Sequence, residues 1–471
     1  MSFVLSNNTL QHGFLALILV FVAFFSLYKL TESPPVWYDE GFYHQAAINW
    51  LVHGEQGLQV EPGVFASASN STVGFPLIYP LKVSFGAFGI GVPQTRAVMV
   101  IFMLLLTFFS YQLLYRLYGF KMAVWGTALL ATFPVFYGNG KSVLGEVPGM
   151  FFVVLCLLFV HFFERSNCRD VRMAALAGLA GGLATATKPI FLLLLPAVLI
   201  PLILFRKRVT FESAPIIAGV VGFLVPIALW VLTQFNDSDS FLQILKLYAT
   251  PSGVEDTWGL IVENVMRFVR EMSPVYTLIL AVAWSASFIH RKRETSLAEG
   301  IAFVFFALVL LAYLRTPGWY RYFFEAQVLG LLFLPFALSV IKWTRPFQTV
   351  IVVLFLMLNV YQLGFHSFVA ESYQSTRTAE LEAYFGSYPL DVSFFVYNVP
   401  EVVIFLPSRN YYQYIEPRET QLIGEEELPK IKQGIPDEII LQTSTYEEKK
   451  REFELYGVKD TISRYTILKR L

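Results

Sequence analysis

The stretch FLALILVFVAFFSLYKLTESPPVWYDEGFYHQAAINWL, residues 14–51, decides the fold class of this chain. Its first half is an apolar run that ends at Leu30, and a helix needs about 20 such residues to cross a bilayer. Residues 1–13 contain no Lys or Arg, so we expect a retained membrane helix rather than a cleaved signal peptide. The second half places two adjacent carboxylates, Asp39 and Glu40, where the chain leaves the membrane, and these carboxylates need an explanation.

The composition supports a membrane protein. Of the 471 residues, 55% are hydrophobic and only 15% are charged, whereas about a quarter of the residues of a soluble globular protein are charged. The formal net charge is zero, which argues against a nucleic-acid partner because a basic face is what such a partner requires.

Ten more apolar runs follow the first, which predicts a polytopic helical protein with about eleven transmembrane helices. The fifth run is short and rich in Gly and Ala, a composition that suits close packing between helices better than lipid contact. The predicted spans are 12–30, 95–114, 122–137, 149–163, 173–187, 189–205, 213–235, 274–290, 298–314, 326–341 and 347–364.

Basic residues orient these spans. If the N-terminus is cytoplasmic, every short inner loop carries Lys or Arg, which is the positive-inside pattern repeated five times. The basic residues of these loops are Arg116, Lys121, Arg165, Arg169, Arg172, Arg206, Lys207, Arg208, Arg291, Lys292, Arg293, Lys342 and Arg345. This orientation puts a long first loop (31–94), and with it the two carboxylates, on the outer side.

The composition changes after residue 365. The apolar runs shrink to strand length, as in SFFVYN, EVVIFLP, DEIILQ and YTILKR, and alternate with helix-like stretches such as TYEEKKREFELYG. This alternation predicts a small α/β domain over residues 365–471, outside the membrane and following a transmembrane domain over residues 1–364. The C-terminal segment has no Gly-rich phosphate loop, so we assign no nucleotide binding to it.

Two interpretations of Asp39 and Glu40 stay open at this point. The residues after them predict an amphipathic helix lying on the membrane, and acids at a helix N-terminus offset the macrodipole and cap free backbone N–H groups. Glu40 is the better candidate for that structural role. Alternatively, a carboxylate held at the lipid–water boundary acts as a general base toward an incoming hydroxyl or amine.

Other charged residues are predicted on the same side. Glu146 lies where an outer loop re-enters the membrane and either caps a helix or belongs to the site, and Lys188 lies at a turn where a lysine is costly unless it meets an anion. Arg315, Arg321 and Tyr322 share the outer loop RTPGWYRYFFE. Either these residues grip a phosphate, for which a guanidinium offers paired donors, or they anchor the chain at the interface.

The evidence for a metal site is weak. The six histidines are scattered and form no HExxH motif. The outer loop 236–273 is acidic and reads as a solvated face, although its carboxylates are also the ligands that a divalent metal ion prefers. The acidic residues of this loop that we considered are Asp237, Asp239, Glu255 and Asp256.

Five stretches follow one another along the chain: WYDEGFYHQAAINWLVHG, GFPLIYPLKVSFGAFGIGVPQTRAVMV, SVLGEVPGMFFVVL, GLAGGLATATKPIFLLLLP and RYFFEAQVLGLLFLP. In this order they resemble the membrane glycosyltransferases of the GT-C superfamily. The resemblance is greatest to the bacterial branch related to dolichyl-phosphate-mannose protein mannosyltransferases and the lipid A aminoarabinose transferase. It covers roughly residues 12–340, and its most specific parts are the Asp-Glu motif with its following helix and the Thr-Lys-Pro turn.

The resemblance implies a sugar donor on a polyprenyl phosphate, used at the outer membrane face with inversion at the anomeric carbon. It matches Asp39 to the family's catalytic Asp and Glu40 to the neighbouring acid. It also matches Glu146 to an acidic position of the second outer loop, as an acceptor or metal candidate. The positions that it places near the carrier phosphate are Lys188, Arg321 and Tyr322, with Lys82 a weaker match because GFPLIYPL stands here where relatives often have HPPL.

The residues and the resemblance together predict an inverting glycosyltransferase that moves a sugar to a lipid, glycan or protein acceptor. The expected location is a bacterial inner membrane with the C-terminal domain in the periplasm. Two alternatives are a flippase for lipid-linked sugars and an inactive sugar-lipid-binding scaffold. Transporters usually place ionisable residues near the bilayer midplane, whereas the candidates here lie at the outer ends of helices.

Overall fold

The computed structural model describes residues 7–67, 72–206, 212–235, 242, 257–291, 294–416 and 423–471, and in this part the chain forms a helical bundle followed by a mixed sheet. The helices of the bundle and its outer loops are α1 (Asn7–Leu27), α2 (Tyr38–Val52), α3 (Phe75–Phe88), α4 (Val92–Tyr118), α5 (Phe120–Thr132), α6 (Pro134–Lys141), α7 (Glu146–Arg165), α8 (Val171–Thr187), α9 (Leu194–Leu204), α10 (Ser213–Gln234), α11 (Thr257–Arg270), α12 (Met272–His290), α13 (Leu297–Tyr313), α14 (Phe324–Val340) and α15 (Gln348–Tyr361). The short helices α16 (Phe368–Glu371), α17 (Arg377–Gly386), α18 (Leu428–Lys432) and α19 (Thr443–Lys449) accompany the sheet. Of the residues discussed above, Lys207, Arg208, Asp237, Asp239, Glu255, Asp256, Lys292 and Arg293 lie outside the described part.

Each predicted apolar run corresponds to a helix, and the chain is a membrane protein. Within the described residues, 6 helical segments are long and apolar enough to cross a membrane, or 7 if α5 and α6, bent by 62°, form one broken span. The remaining apolar segments, which are Gln11–Leu27 of α1, α3, α8, α13 and Pro189–Leu204, are shorter. The count of about eleven spans therefore stays a prediction.

Small residues bring α8 and α10 into close contact. A Cβ added to Gly178 would lie 2.0 Å from the carbonyl oxygen of Gly219, and one added to Gly182 would lie 2.3 Å from that of Phe223. In the other direction, a Cβ on Gly222 would lie 2.4 Å from the carbonyl oxygen of Ala175. The Gly/Ala-rich fifth run thus packs against another helix, as its composition predicts.

The first outer loop contains α2, a hairpin of β1 (Gly57–Glu61) and β2 (Val64–Ser67), and α3. The predicted helix after the carboxylates exists as α2, and the protein covers it more fully than its amphipathic pattern suggests; its position at the membrane surface stays a prediction. Most of α2 is buried, and a Cβ on Gly41 would lie 2.3 Å from the backbone of Pro400. The C-terminal segment covers α2 because this glycine lets the two backbones touch.

The strands of the C-terminal sheet are β3 (Phe394–Tyr397), β4 (Tyr411–Tyr414), β5 (Glu438–Gln442), β6 (Tyr456–Ile462) and β7 (Tyr465–Arg470). Their order is β4-β3-β5-β7-β6, with β3 parallel to β4 and β5 and with β7 antiparallel to β5 and β6. The predicted strands SFFVYN, DEIILQ and YTILKR are confirmed, whereas EVVIFLP is a 3-10 helix, Pro400–Phe405. A proline offers no N–H to a strand ladder, and Pro400 packs against α2 instead. The domain boundary at residue 364 stays a prediction.

Candidate active site

The first turn of α2 sends its two carboxylates to different surroundings. Asp39 and Glu40 are consecutive helical residues, so their side chains leave the helix about 100° apart. The side chain of Asp39 is 28% exposed and meets Arg321, whereas that of Glu40 is fully buried. The two acids therefore cannot do the same chemistry.

Glu40 is completely engaged by the protein. Its Oε1 accepts hydrogen bonds from the backbone N–H of Trp37 at 2.8 Å and from Arg96 Nη2 at 3.2 Å. Its Oε2 accepts from the backbone N–H of Val143 at 2.9 Å. Burial raises the pKa of Glu40 above its ordinary value, and the Arg96 charge and the two N–H donors offset this only in part. This geometry is that of a helix cap and a buried ion pair, which favours the structural interpretation of Glu40.

Arg96, near the start of α4, is a residue that the sequence analysis missed. Besides Glu40, its Nη1 donates to the carbonyl oxygens of Leu30 at 2.7 Å and Pro34 at 2.6 Å. It thereby ties the end of the first membrane helix to the helix that carries Asp39. A basic residue at the outer end of a span runs against the positive-inside trend, and this was the available signal.

His44 lies one turn beyond Glu40 on α2 and is fully buried. Neither ring nitrogen has a hydrogen-bond partner among the described residues. Burial, together with the charge of Arg96, lowers the pKa of His44 from its ordinary value to about 3. The imidazole is therefore neutral at physiological pH.

Asp39 pairs with Arg321, a residue 282 positions away in the chain, with Nη1 and Oδ2 2.5 Å apart. Arg321 lies in the 3-10 helix Tyr320–Phe323 that leads into α14. Its guanidinium carbon lies 4.9 Å from the ring centre of Trp319 and 5.4 Å from that of Tyr322. The aromatic rings hold the cation by cation–π contacts while its edge faces Asp39.

A second ion pair joins Glu146, at the first residue of α7, to Lys188, at the C-cap of α8. Both side chains are buried, and Glu146 Oε2 has no hydrogen-bond partner among the described residues. Glu325, a buried acid on α14, lies within electrostatic reach of Glu146, Lys188 and Arg321. Glu325 ends the same RTPGWYRYFFE loop as Arg321, but nothing in the local sequence marks it as a residue of the site.

The two remaining candidates are placed differently. Arg315 is exposed, and in the described part of the chain its side chain forms no ion pair. Lys82 lies on α3, with its Nζ 4.4 Å from the ring centre of Trp50. Neither residue joins the two ion pairs through a direct contact.

The described residues contain no group of three or more His, Cys, Asp or Glu side chains that could hold a metal ion. The acidic residues of the loop 236–273 that we considered as ligands lie outside the described part. A divalent metal therefore stays an open alternative that rests on the sequence alone.

The C-terminal sheet is fixed directly to α2. Gln45 and Gln413 form a reciprocal, buried amide pair with separations of 2.9 and 3.1 Å. Gln413 also donates to the carbonyl oxygen of Gln59, and the Tyr38 hydroxyl donates to Asn398 at 2.8 Å. The helix that carries Asp39 thus lies between the membrane bundle and the sheet.

Comparisons with known proteins agree with this architecture. The family model of the dolichyl-phosphate-mannose-protein mannosyltransferases matches residues 77–232. The structure of ArnT from Cupriavidus metallidurans bound to undecaprenyl phosphate superimposes with a TM-score of 0.66 at 14% identity, covering 99% of each chain. The chain has the GT-C fold.

Another GT-C structure, the oligosaccharyltransferase of Archaeoglobus fulgidus in the apo form, has a TM-score of 0.57 at 12% identity and covers 94% of this chain and 71% of that one. The A. fulgidus oligosaccharyltransferase AglB in complex with an inhibitory peptide and a dolichol-phosphate gives a TM-score of 0.56 at 12% identity, covering 94% of this chain and 71% of that one. No curated protein sequence matches the chain. At these identities the structural likeness establishes the GT-C fold, and the activity has to be argued from the site.

Proposed function

We propose that the protein is an inverting glycosyltransferase that takes a sugar from a polyprenyl-phosphate carrier at the outer face of the membrane. The observation that carries this proposal is the Asp39–Arg321 pair. It places a partly exposed carboxylate beside a guanidinium that makes cation–π contacts with two aromatic rings. A base for the acceptor and a counter-charge for the leaving phosphate are the two groups that such a transfer needs.

In this mechanism Asp39 takes the proton of an acceptor hydroxyl or amine, and the freed electron pair attacks the anomeric carbon. The bond from that carbon to the phosphate oxygen breaks, and its electrons leave with the phosphate. Arg321 offsets the negative charge that grows on this phosphate. The Lys188–Glu146 pair is close enough to Arg321 to act on the same site electrostatically. Glu40 holds the helix in place and takes no proton.

Two relatives by fold support the nature of the donor. The ArnT structure carries undecaprenyl phosphate, and one AglB structure carries a dolichol-phosphate. We extend this carrier class to the present chain, with a lipid, glycan or protein as the acceptor. The positive-inside pattern supports a cytoplasmic N-terminus and a C-terminal domain on the outer side. The family resemblance favours a bacterial inner membrane, with that domain in the periplasm.

The test uses the purified protein in nanodiscs, a panel of radiolabelled undecaprenyl-phosphate sugars and a cell-envelope extract as acceptor. We expect one donor to transfer label, and Asp39→Asn to abolish that transfer. Glu263→Gln is the matched control because Glu263 is also a carboxylate paired with an arginine, Arg267. Movement of the donor across the membrane of proteoliposomes, without label transfer from any donor, would instead identify a flippase.

A further inference from the structure

Two of the cations expected near the carrier phosphate, Arg321 and Lys188, are already paired with acids of the same site. Arg321 holds Asp39, and Lys188 holds Glu146. An incoming phosphate therefore meets no free cation in either pair and has to compete with a carboxylate.

Burial decides which pair opens. The side chains of Arg321 and Asp39 are 20% and 28% exposed, so water can solvate a separated Asp39. Those of Lys188 and Glu146 are 8% and 1% exposed, so separating them would leave a charge in a dry environment. Breaking a buried pair is far more costly than breaking a partly exposed one. The Arg321–Asp39 pair is the exchangeable one.

Arg321 is also built to change partners. Cation–π contacts with Trp319 and Tyr322 hold the guanidinium without using its N–H donors. Its Nε is buried and has no hydrogen-bond partner among the described residues. Asp39 accepts one hydrogen bond from Arg321, through Nη1. A phosphate has several acceptor oxygens, so it can also accept from an N–H group of Arg321 that Asp39 leaves unused.

We propose that the phosphate of the carrier replaces Asp39 on Arg321, and that this exchange releases Asp39 to accept the proton of the acceptor. The inference rests on the proposed function and adds an order to it. While Asp39 Oδ2 accepts a hydrogen bond from Arg321 Nη1, that oxygen is engaged, and it becomes available to the acceptor when Arg321 turns to the phosphate. The base is thus released only when a donor is bound.

The same argument assigns Lys188 a different part. Lys188 stays paired with Glu146 during the exchange. It attracts the phosphate electrostatically but does not exchange Glu146 for it. The direct grip on the phosphate then falls to Arg321.

Binding of undecaprenyl phosphate to the protein in nanodiscs tests the exchange. Asp39→Asn removes the competitor, and we expect it to bind the carrier roughly threefold to tenfold more tightly than the wild type. Glu146→Gln should show a smaller gain, because the phosphate does not displace Glu146 and feels the lost charge only at a distance. Glu263→Gln should bind as the wild type does, which separates competition for Arg321 from a general effect of outer-surface charge. Equal or weaker binding by Asp39→Asn would overturn the proposal.

A structure of the wild-type protein with undecaprenyl phosphate tests the exchange directly and needs no substitution. We expect Arg321 Nη1 and Asp39 Oδ2, 2.5 Å apart without ligand, to separate beyond about 4 Å while Lys188 keeps Glu146. A bound phosphate beside an intact Arg321–Asp39 pair would overturn the exchange and leave the proposed function standing. If no carrier binds to the wild type or any variant, the proposed function fails and this inference fails with it.

Discussion

Replacing Arg96 by Met should expose how strongly the helix of Asp39 depends on a buried ion pair. Arg96 and Glu40 are both fully buried, and the variant would leave the Glu40 carboxylate without its cation. Removing one partner of a buried pair costs about 3–5 kcal/mol. The carbonyl oxygens of Leu30 and Pro34 would also lose their donor, which favours the upper end of this range.

The pH dependence has a definite sign. Burial already raises the pKa of Glu40, and loss of the Arg96 charge removes a cause that lowers it, so the folded variant binds a proton more readily than the unfolded chain. Because the pKa of Glu40 is higher in the folded variant than in the unfolded chain, the folded variant becomes less stable as the pH rises through that pKa. We therefore expect the difference in stability between wild type and Arg96→Met to be larger at pH 8 than at pH 5.

Denaturant unfolding of the protein in detergent micelles at both pH values measures this difference. Arg116→Met is the matched control, because Arg116 is an exposed arginine on the same helix, and it should behave as the wild type. An Arg96→Met variant as stable as Arg116→Met at pH 8 would refute the account of Glu40 as a buried, cation-dependent anchor.

Two further predictions concern the burial of α2. Burial lowers the pKa of His44 to about 3, whereas the unfolded chain has a His pKa of about 6.5, so the folded protein loses about 2 kcal/mol of stability between neutral pH and pH 5. His44→Phe should flatten the pH dependence of the free energy of unfolding between pH 7 and pH 5. An unchanged slope would contradict the buried placement of His44. Gly41→Ala forces a Cβ to within 2.3 Å of the Pro400 backbone and should cost about 1–3 kcal/mol and reduce glycosyl transfer. Gly86→Ala, whose Cβ would meet Leu51 at an ordinary 3.4 Å, should be tolerated; equal melting temperatures of the two glycine variants would contradict the contact between α2 and the C-terminal segment.

The helices and the site's location could be predicted from the sequence because both depend on local patterns. Apolar length identifies a membrane helix, and basic loops orient it. The acids at residues 39 and 40 were singled out by position next to the first apolar run. Their different roles could not be separated, because Arg96 is 56 positions from Glu40 and Arg321 is 282 from Asp39.

Tertiary contacts account for the features that local patterns do not predict. The helix α2 has the composition of a surface helix, yet the sheet covers it through Gln45 and Gln413. The run EVVIFLP has the composition of a strand, yet Pro400 and its contact with Gly41 turn it into a 3-10 helix. Glu325 was missed because an acid two residues into an apolar helix gives no local sign of the charges that surround it.

The central claim is that Asp39, and not its neighbour Glu40, takes the proton of the acceptor. The measurement that tests it most directly is the single-turnover rate of label transfer by Asp39→Asn in nanodiscs saturated with the active donor, with carrier binding measured on the same sample. The account predicts that transfer is lost, by about a hundredfold or more, while carrier binding persists. Transfer at the wild-type rate by Asp39→Asn would contradict it.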